Sequence, residues 1–174
     1  MLGDTKNSVP ARMGQGMIVG KNVEFGSNVT VWNYVVIGDN TKIGDNTVIG
    51  SFCDIGKDVQ IGNDCCLQAH LTISNGCILE DGVFIAPNSS LLNDKYPRSG
   101  FNSPPTIKKY AIIGGGVTVL PGVIIGEEAV VGGGSVVTCN IAPRTVHKGL
   151  PNRETMSIEE YRRKREEFKS RKTA

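Results

Sequence analysis

His70 is one of only two histidines in this 174-residue chain; the other is His147. An unperturbed imidazole titrates near pH ~6.5, so His70 is suited to taking or giving a proton at neutral pH. Asn88 stands 18 positions further on, and Asp94 and Arg98 follow it. The Asp94 carboxylate is a second acid–base candidate. The planar guanidinium of Arg98 offers a two-pronged donor for a carboxylate or a diphosphate. Two histidines do not make the three-imidazole set of a catalytic zinc site, so no metal centre is expected.

The spacing of His70 and Asn88 gains meaning from the rest of the chain, which keeps a beat of six. Stepping by six from Met13 to Leu91 meets an apolar residue every time, and so does stepping from Ile113 to Val137. An even period suits the alternation of a strand and not the 3.6-residue turn of a helix. A second column, four residues after the first, holds Val29, Val35, Thr41, Thr47, Cys53, Val59, Cys65, Leu71, Cys77 and Val83. The two columns mark the inward faces of short strands. Glycine commonly follows the first column, and Asn, Asp or Gly comes next, as at a tight turn. Cys53, Cys65 and Cys77 fall in the inward column and read as buried small hydrophobes.

Each hexad is therefore a short strand and a corner, and such units stack as a parallel β-helix. Three hexads make one triangular coil, with coils about 4.8 Å apart. Positions 18 apart then become vertical neighbours. Two corners carry ordinary turn formers: Asn22, Asn40, Asp58 and Gly76 on one, Asn28, Asn46, Asp64 and Gly82 on the other. The third carries Tyr34, Phe52, His70 and Asn88, with Trp32, Gly50, Gln68 and Ala86 two residues earlier. Large and functional side chains gathered on one edge mark a surface that meets another molecule. A homo-oligomer is expected, a trimer first among the choices.

The beat breaks once, between Leu91 and Ile113. If Ile113 takes the face after Leu91, the insert lengthens the repeat by nearly a whole coil. It is then a projecting loop, about residues 92–110, stiffened by Pro97, Pro104 and Pro105 and able to reach a neighbouring subunit.

The repeats resemble those of the left-handed β-helix, or hexapeptide-repeat, acyltransferases over about residues 13–153. Within them, Ala86-Pro87-Asn88 followed by Asn93-Asp94-Lys95-Tyr96-Pro97-Arg98-Ser99 is similar to a stretch of the nucleotide-sugar 3-N-acetyltransferases. The enzymes acetylating UDP-2-acetamido-3-amino-2,3-dideoxy-glucuronate are the nearest in pattern. Those acting on dTDP-3-amino-3,6-dideoxyhexoses resemble the chain nearly as well. The left hand of the helix is itself an implication of the resemblance, because the spacing does not set it.

The resemblance implies an acetyl-CoA-dependent N-acetyltransferase that works as a homotrimer with its active site between subunits. It implies that Asn88 orients the sugar amine, and that His70 or Asp94 takes the proton unless the departing thiolate does. Gln68, Asn93, Arg98 and Ser99 would face the nucleotide-linked amino sugar. The backbone at Gly115, Gly116, Gly133 and Gly134, together with Arg153, would face acetyl-CoA. The chain departs from the pattern in having Ala86 where Gly is common and His70 where the glucuronate enzymes often have Asn. Rival readings are an O-acetyltransferase of the same fold and a non-catalytic β-helix scaffold. A carbonic anhydrase of this fold would need a third histidine.

Other features bound these readings. A net charge of +2 gives no general pull on nucleic acid. No stretch of apolar residues is long enough to span a bilayer, and the N-terminus does not read as a signal peptide. Five cysteines without a CxxC pair suggest reduced thiols and a cytoplasmic protein. The β-helix is assigned residues 1–153. Residues 154–174 form a tail in which Ser157-Ile158-Glu159-Glu160 has the form of a capping box opening a short helix. From Ser157 on, seven Lys/Arg and four Glu make it basic, which reads first as a solvated face and second as a contact for a CoA phosphate. The expected architecture is thus all-β, a left-handed parallel β-helix with one projecting loop and a short C-terminal α-helix.

Overall fold

A two-residue strand cannot stand alone, because neither its backbone nor its single inward side chain is satisfied. Both needs are met here by the same residue 18 positions away. In the computed structural model, which describes residues 12–149, 163–164 and 166–170, two-residue strands stack into three parallel sheets. Sheet A runs from Arg12–Met13 through Thr30–Val31, Val48–Ile49, Cys66–Leu67, Phe84–Ile85, Ile112–Ile113 and Val130–Val131 to Val146–His147. Sheet B runs from Ile18–Val19 to Val136–Val137, and sheet C from Glu24–Phe25 to Ile124–Ile125. The chain visits A, B and C in turn, which is the β-helix expected from the beat of six, and its form is that of the left-handed class.

Register follows the interval of 18: Thr30 pairs with Val48, Cys66 with Phe84 and Thr72 with Ser90. From Phe25 on both inward columns are buried, among them Ile37, Ile49, Ile55, Leu67, Leu79 and Ile85 from the first and Val29, Val35, Val59 and Val83 from the second. They form one long core down the axis.

The polar members of the second column do more than fill space. Thr41 Oγ1 donates to the Gly56 carbonyl and Thr47 Oγ1 to the Gly62 carbonyl, both at 2.9 Å. Cys53 Sγ donates to the Gln68 carbonyl at 3.1 Å and Cys65 Sγ to the Glu80 carbonyl at 3.2 Å. Each acceptor is a corner carbonyl of the next coil. The small polar residues of this column thereby satisfy backbone that the corner leaves without a strand partner.

The glycine that follows the first column is required by its neighbour coil. A Cβ on Gly38 would lie 2.6 Å from the Gly56 carbonyl carbon and the Lys57 nitrogen. Left-handed backbone occurs two residues later, at Asn22, Asn28, Asn40, Asn46, Asp58 and Asp64, with φ between 55° and 58°.

The insert corrects one expectation. Thr106–Ile107 is a strand of sheet C, paired with Ile78–Leu79 below and Ile124–Ile125 above. The chain therefore leaves the helix after Ser90–Leu91 of sheet B and rejoins it on the next face. The loop spans residues 92–105, not 92–110, and Ile113 lies in sheet A. Ser90 pairs with Thr118, so this coil is longer than the others. The excess is little more than half a coil, rather than nearly a whole one. The hexad phase had already resumed at Ile107, behind Pro104-Pro105.

The loop is tied to the corner between sheets B and C. Asn93 Nδ2 donates to the Asn75 carbonyl at 3.0 Å, and the Gly122 N–H donates to the Ser103 carbonyl at 2.6 Å. Residues 163–164 and 166–170 are helical. Phe168 reaches the loop, its ring 5.3 Å from that of buried Tyr96. The capping-box residues 157–160 lie outside the described residues.

Candidate active site

On two of the three corners the turn is closed by side chains of the coil above. The Lys21 N–H donates to Asp39 Oδ1 at 2.8 Å, Ser27 N–H to Asp45 Oδ1 at 2.6 Å, and Lys57 N–H to Asn75 Oδ1 at 2.8 Å. Side-chain amides form a second ladder beside them, Asn22 to Asn40 and Asn40 to Asp58, each 3.1 Å.

The corner between sheets A and B is built differently. At its foot the Gln15 N–H donates to Asn33 Oδ1 at 2.9 Å. Above that, the matching amides of Asn33, Ser51, Ala69, Gly115 and Gly133 meet no such side chain among the described residues. These backbone donors stay open along the edge.

The left-handed residue of this corner is successively Gly16, Tyr34, Phe52, His70, Asn88, Gly116 and Gly134. Tyr34 stacks on Phe52 with ring centroids 5.3 Å apart, and Phe52 on His70 at 4.9 Å. Asn88 follows one coil above His70. Both are exposed, and the Asn88 N–H donates to the Ala69 carbonyl at 3.2 Å. The expected juxtaposition of His70 and Asn88 on one outward edge is thus present.

Above Asn88 the side chains stop. The Gly116 N–H donates to Pro87 O at 2.9 Å and the Gly134 N–H to Gly115 O at 2.8 Å. Gly115, Gly116, Gly133 and Gly134 are all exposed. No atom lies within 4 Å of where a Cβ would stand on Gly116 or Gly134. The edge therefore passes from aromatic rings through an imidazole and an amide to bare backbone. Arg153 lies outside the described residues.

The remaining candidates occupy other places. Gln68 is half-buried beside the corner, with Nε2 donating to Cys66 Sγ at 3.1 Å. Asn93, Asp94, Arg98 and Ser99 sit on the loop, at the corner between sheets B and C. The chain between Asn88 and Asp94 can span about 20 Å at full extension. Within one subunit the loop runs down a different edge from His70.

Asp94 Oδ2 accepts the Arg98 N–H at 3.3 Å, while Asp94 Oδ1 is buried with no hydrogen-bond partner among the described residues. Ser99 is buried, and its hydroxyl accepts the Phe101 N–H at 3.2 Å. Arg98 holds a left-handed φ of 67° and is exposed.

Several concavities lie elsewhere. One of about 170 Å³ opens at the C-terminal mouth between Thr138, Cys139 and His147. One of about 470 Å³ lies between Glu80, Lys108 and Ile124, and one of about 250 Å³ between Asp54, Thr72 and Asn93. None of these touches His70 or Asn88. Among the described residues no group of three or more His, Cys, Asp or Glu is placed to hold a metal ion.

The aromatic stack and the free amides escaped the reading of the sequence. The column of aromatic residues was visible there; the direction of their rings was not. The absence of Asx residues at positions 51, 69, 87 and 133 is the sequence signal for the amides.

Comparison with known proteins agrees with this architecture. A family model described as bacterial transferase hexapeptide (six repeats) matches residues 40–75 and 104–139. A second, the hexapeptide repeat of succinyl-transferase, matches residues 16–44. A putative acetyltransferase of Schizosaccharomyces pombe is 41% identical over 93 residues, covering 52% of this chain and 45% of that protein. The galactoside O-acetyltransferase of Escherichia coli is 38% identical over 86 residues, covering 45% of this chain and 42% of that protein. The chain thus spans less than half the length of these two relatives. The acetyltransferase domain of PglB from Neisseria gonorrhoeae, solved with acetyl coenzyme A, matches with a TM-score of 0.50 at 17% identity, over 77% of this chain and 52% of that one. The likeness to that domain is one of fold. The repeat models together cover more than half of the chain, and their phase is that of the observed coils: the chain belongs to the hexapeptide-repeat transferase family.

Proposed function

We propose that the chain is an acetyl-CoA-dependent acetyltransferase whose acceptor is the amino group of a nucleotide-linked amino sugar. One observation carries the reading: on a single edge, His70 and Asn88 stand one above the other, beneath two coils of open glycine backbone. Acetyl transfer to an amine needs a neutral nitrogen aimed at the thioester carbonyl, donors for the oxyanion and a destination for one proton.

The edge offers each of these. Asn88 presents a side-chain carbonyl that accepts from the amine and orients its lone pair. The unclaimed amides of Ala69 and Gly115 are backbone donors close to the same point. The amine nitrogen bonds to the acyl carbon, the carbon–sulfur bond breaks, His70 takes the proton lost by nitrogen, and the thiolate leaves to be protonated. The pantetheine arm runs along Gly115–Gly116 and Gly133–Gly134, where its amides meet backbone without side chains in the way. These steps call on no metal.

The acceptor class is supported by Ala86-Pro87-Asn88 and the Asn93–Ser99 stretch, on the resemblance set out above. The loop and the His70 edge lie on different corners of one subunit. A neighbouring copy about a threefold axis would bring its loop, with Asp94 and Arg98, to that edge; a homotrimer is therefore part of the proposal. The orphaned Asp94 oxygen is an acceptor that such an arrangement or the substrate amine would satisfy.

The test is a panel of nucleotide-linked amino sugars offered with acetyl-CoA, led by UDP-2-acetamido-3-amino-2,3-dideoxy-glucuronate and read as free thiol. Release of thiol with one of them and not with its N-acetylated form is expected; release with none overturns the reading. A second reading, O-acetylation, draws on the relative named galactoside O-acetyltransferase. A hydroxyl is a poorer nucleophile than a neutral amine and depends more on a base. A thiogalactoside in the same panel, with His70→Ala alongside, separates the two.

A further inference from the structure

Left-handed φ is free for glycine, tolerable for Asn and Asp, and costly for a bulky side chain. The first four coils obey this rule on two corners. On the third, Tyr34, Phe52 and His70 hold φ of 57°, 62° and 59°. Each of them is strained there relative to glycine. Burial does not offset that strain, because Tyr34 and Phe52 are 53% and 52% exposed.

What the three residues do share is a continuous stack. Phe52 and His70 are 11° from parallel and Tyr34 and Phe52 are 16° from parallel. The column stands on Gly16, where a Cβ would lie 2.5 Å from Tyr34 Cδ1, so the coil below must be bare for the lowest ring to lie down. Nothing like this stack is needed to turn a corner, since Asn22, Asn40 and Asp58 turn the neighbouring one without it.

We infer that Phe52, backed by Tyr34, is a positioning residue for His70. The torsion that turns an imidazole about its bond to Cβ is broad and roughly two-fold. An exposed histidine with nothing against its face samples that range. A parallel ring at 4.9 Å confines the imidazole to one plane, which restricts the directions its nitrogens can take. Stacked aromatic contact is favourable beyond the area it buries, and it holds the ring in place. The inference rests on the proposed role of His70 as proton acceptor and adds the device that aims it.

The test uses the full chain with Phe52→Ala and Phe52→Tyr. The first readout is the proton NMR spectrum of His70 without any ligand. In the parent protein its ring protons should lie upfield of those of His147, shifted by the Phe52 ring current. Phe52→Ala should return them to ordinary imidazole positions, and Phe52→Tyr should keep the shift. The second readout is acetyl transfer to UDP-2-acetamido-3-amino-2,3-dideoxy-glucuronate. Phe52→Ala should lower kcat about 10-fold with KM for acetyl-CoA unchanged, and Phe52→Tyr should restore it.

Unshifted His70 protons in the parent protein would overturn the inference at its geometry. A lost shift with kcat intact would overturn the positioning role while leaving His70 as acceptor, provided His70→Ala is impaired. Full activity in His70→Ala would remove the acceptor role itself, and the positioning role with it.

Discussion

Asn88 is anchored to the corner that carries His70: its backbone N–H donates to the Ala69 carbonyl at 3.2 Å, and both residues hold left-handed φ, 62° and 59°. The two side chains leave the prism in the same direction, one coil apart. Neither is held in place by a side-chain hydrogen bond among the described residues, so the amide and the imidazole are presented to whatever enters the edge.

That presentation makes Asn88→Gly the informative change. Glycine accepts the left-handed corner at no steric cost, so the fold should be kept, with a midpoint of thermal unfolding within a few degrees of the parent. Loss of the amide should lower kcat for the amine acceptor about 100-fold, the scale of removing one orienting or stabilising group. Unchanged kcat, measured as thiol release, would take Asn88 out of the site.

The inward cysteines should be inert. Burial pushes the Cys53 thiol up, the Cys65 thiol to about 11 and the Cys77 thiol to about 12. At pH 8 their thiolates are scarce and their sulfurs are enclosed. Cys139 is exposed and Cys66 half-buried. Iodoacetamide on the native protein followed by peptide mass spectrometry should find Cys139 labelled, Cys66 partly so, and the three core positions unlabelled until denaturant is added.

Acid should loosen the corners through the carboxylates that close them. The Asn63 N–H, with Lys109 beside it, holds Asp81 below the usual carboxylate range, and the Lys21 N–H with Lys57 does the same for Asp39. The folded state binds the proton less readily than the unfolded chain, so folding favours the ionised form. The stability this supplies is complete above the unfolded-state pKa of about 3.9 and fades as pH falls through the lower folded-state value. Thermal midpoints taken from pH 6 down to pH 2.5 should fall less steeply for Asp81→Asn, which keeps the acceptor oxygen and loses the charge. Parallel slopes would assign the corner's strength to the neutral hydrogen bond alone.

Truncation within the core should cost far more than any change on the edge. Ile85 is 1% exposed and lies between Leu67 below and Ile113 above. Ile85→Ala removes a packed side chain from a core shared by all three sheets; a loss of about 2–5 kcal/mol is expected. Phe52→Gly should change stability by about 1 kcal/mol or less, because the lost stacking is offset by relief at a left-handed position. Urea titrations of the two variants compare these directly. A large loss for Phe52→Gly would mean that the aromatic stack holds up the fold.

The hexad beat alone determined the β-helix, its inward columns and the exceptional corner. Every coil repeats the same pairing, so a local period carries the whole topology. It also put His70 above Phe52 and below Asn88, because three hexads make one coil. The tertiary structure decided where the insert rejoins. Ile107 keeps the beat of six with Ile113, but the beat does not say on which face the chain returns after an insert, and only pairing with Leu79 and Ile125 places Ile107 in sheet C. That pairing sets the loop, with Asp94 and Arg98, on a different edge from His70. Tertiary structure also decided what the polar inward residues and the third-corner rings do. A side chain's hydrogen bond or stacking partner lies in the next coil, and left-handed backbone, which no composition reveals for Tyr34, Phe52 or His70, aims it there.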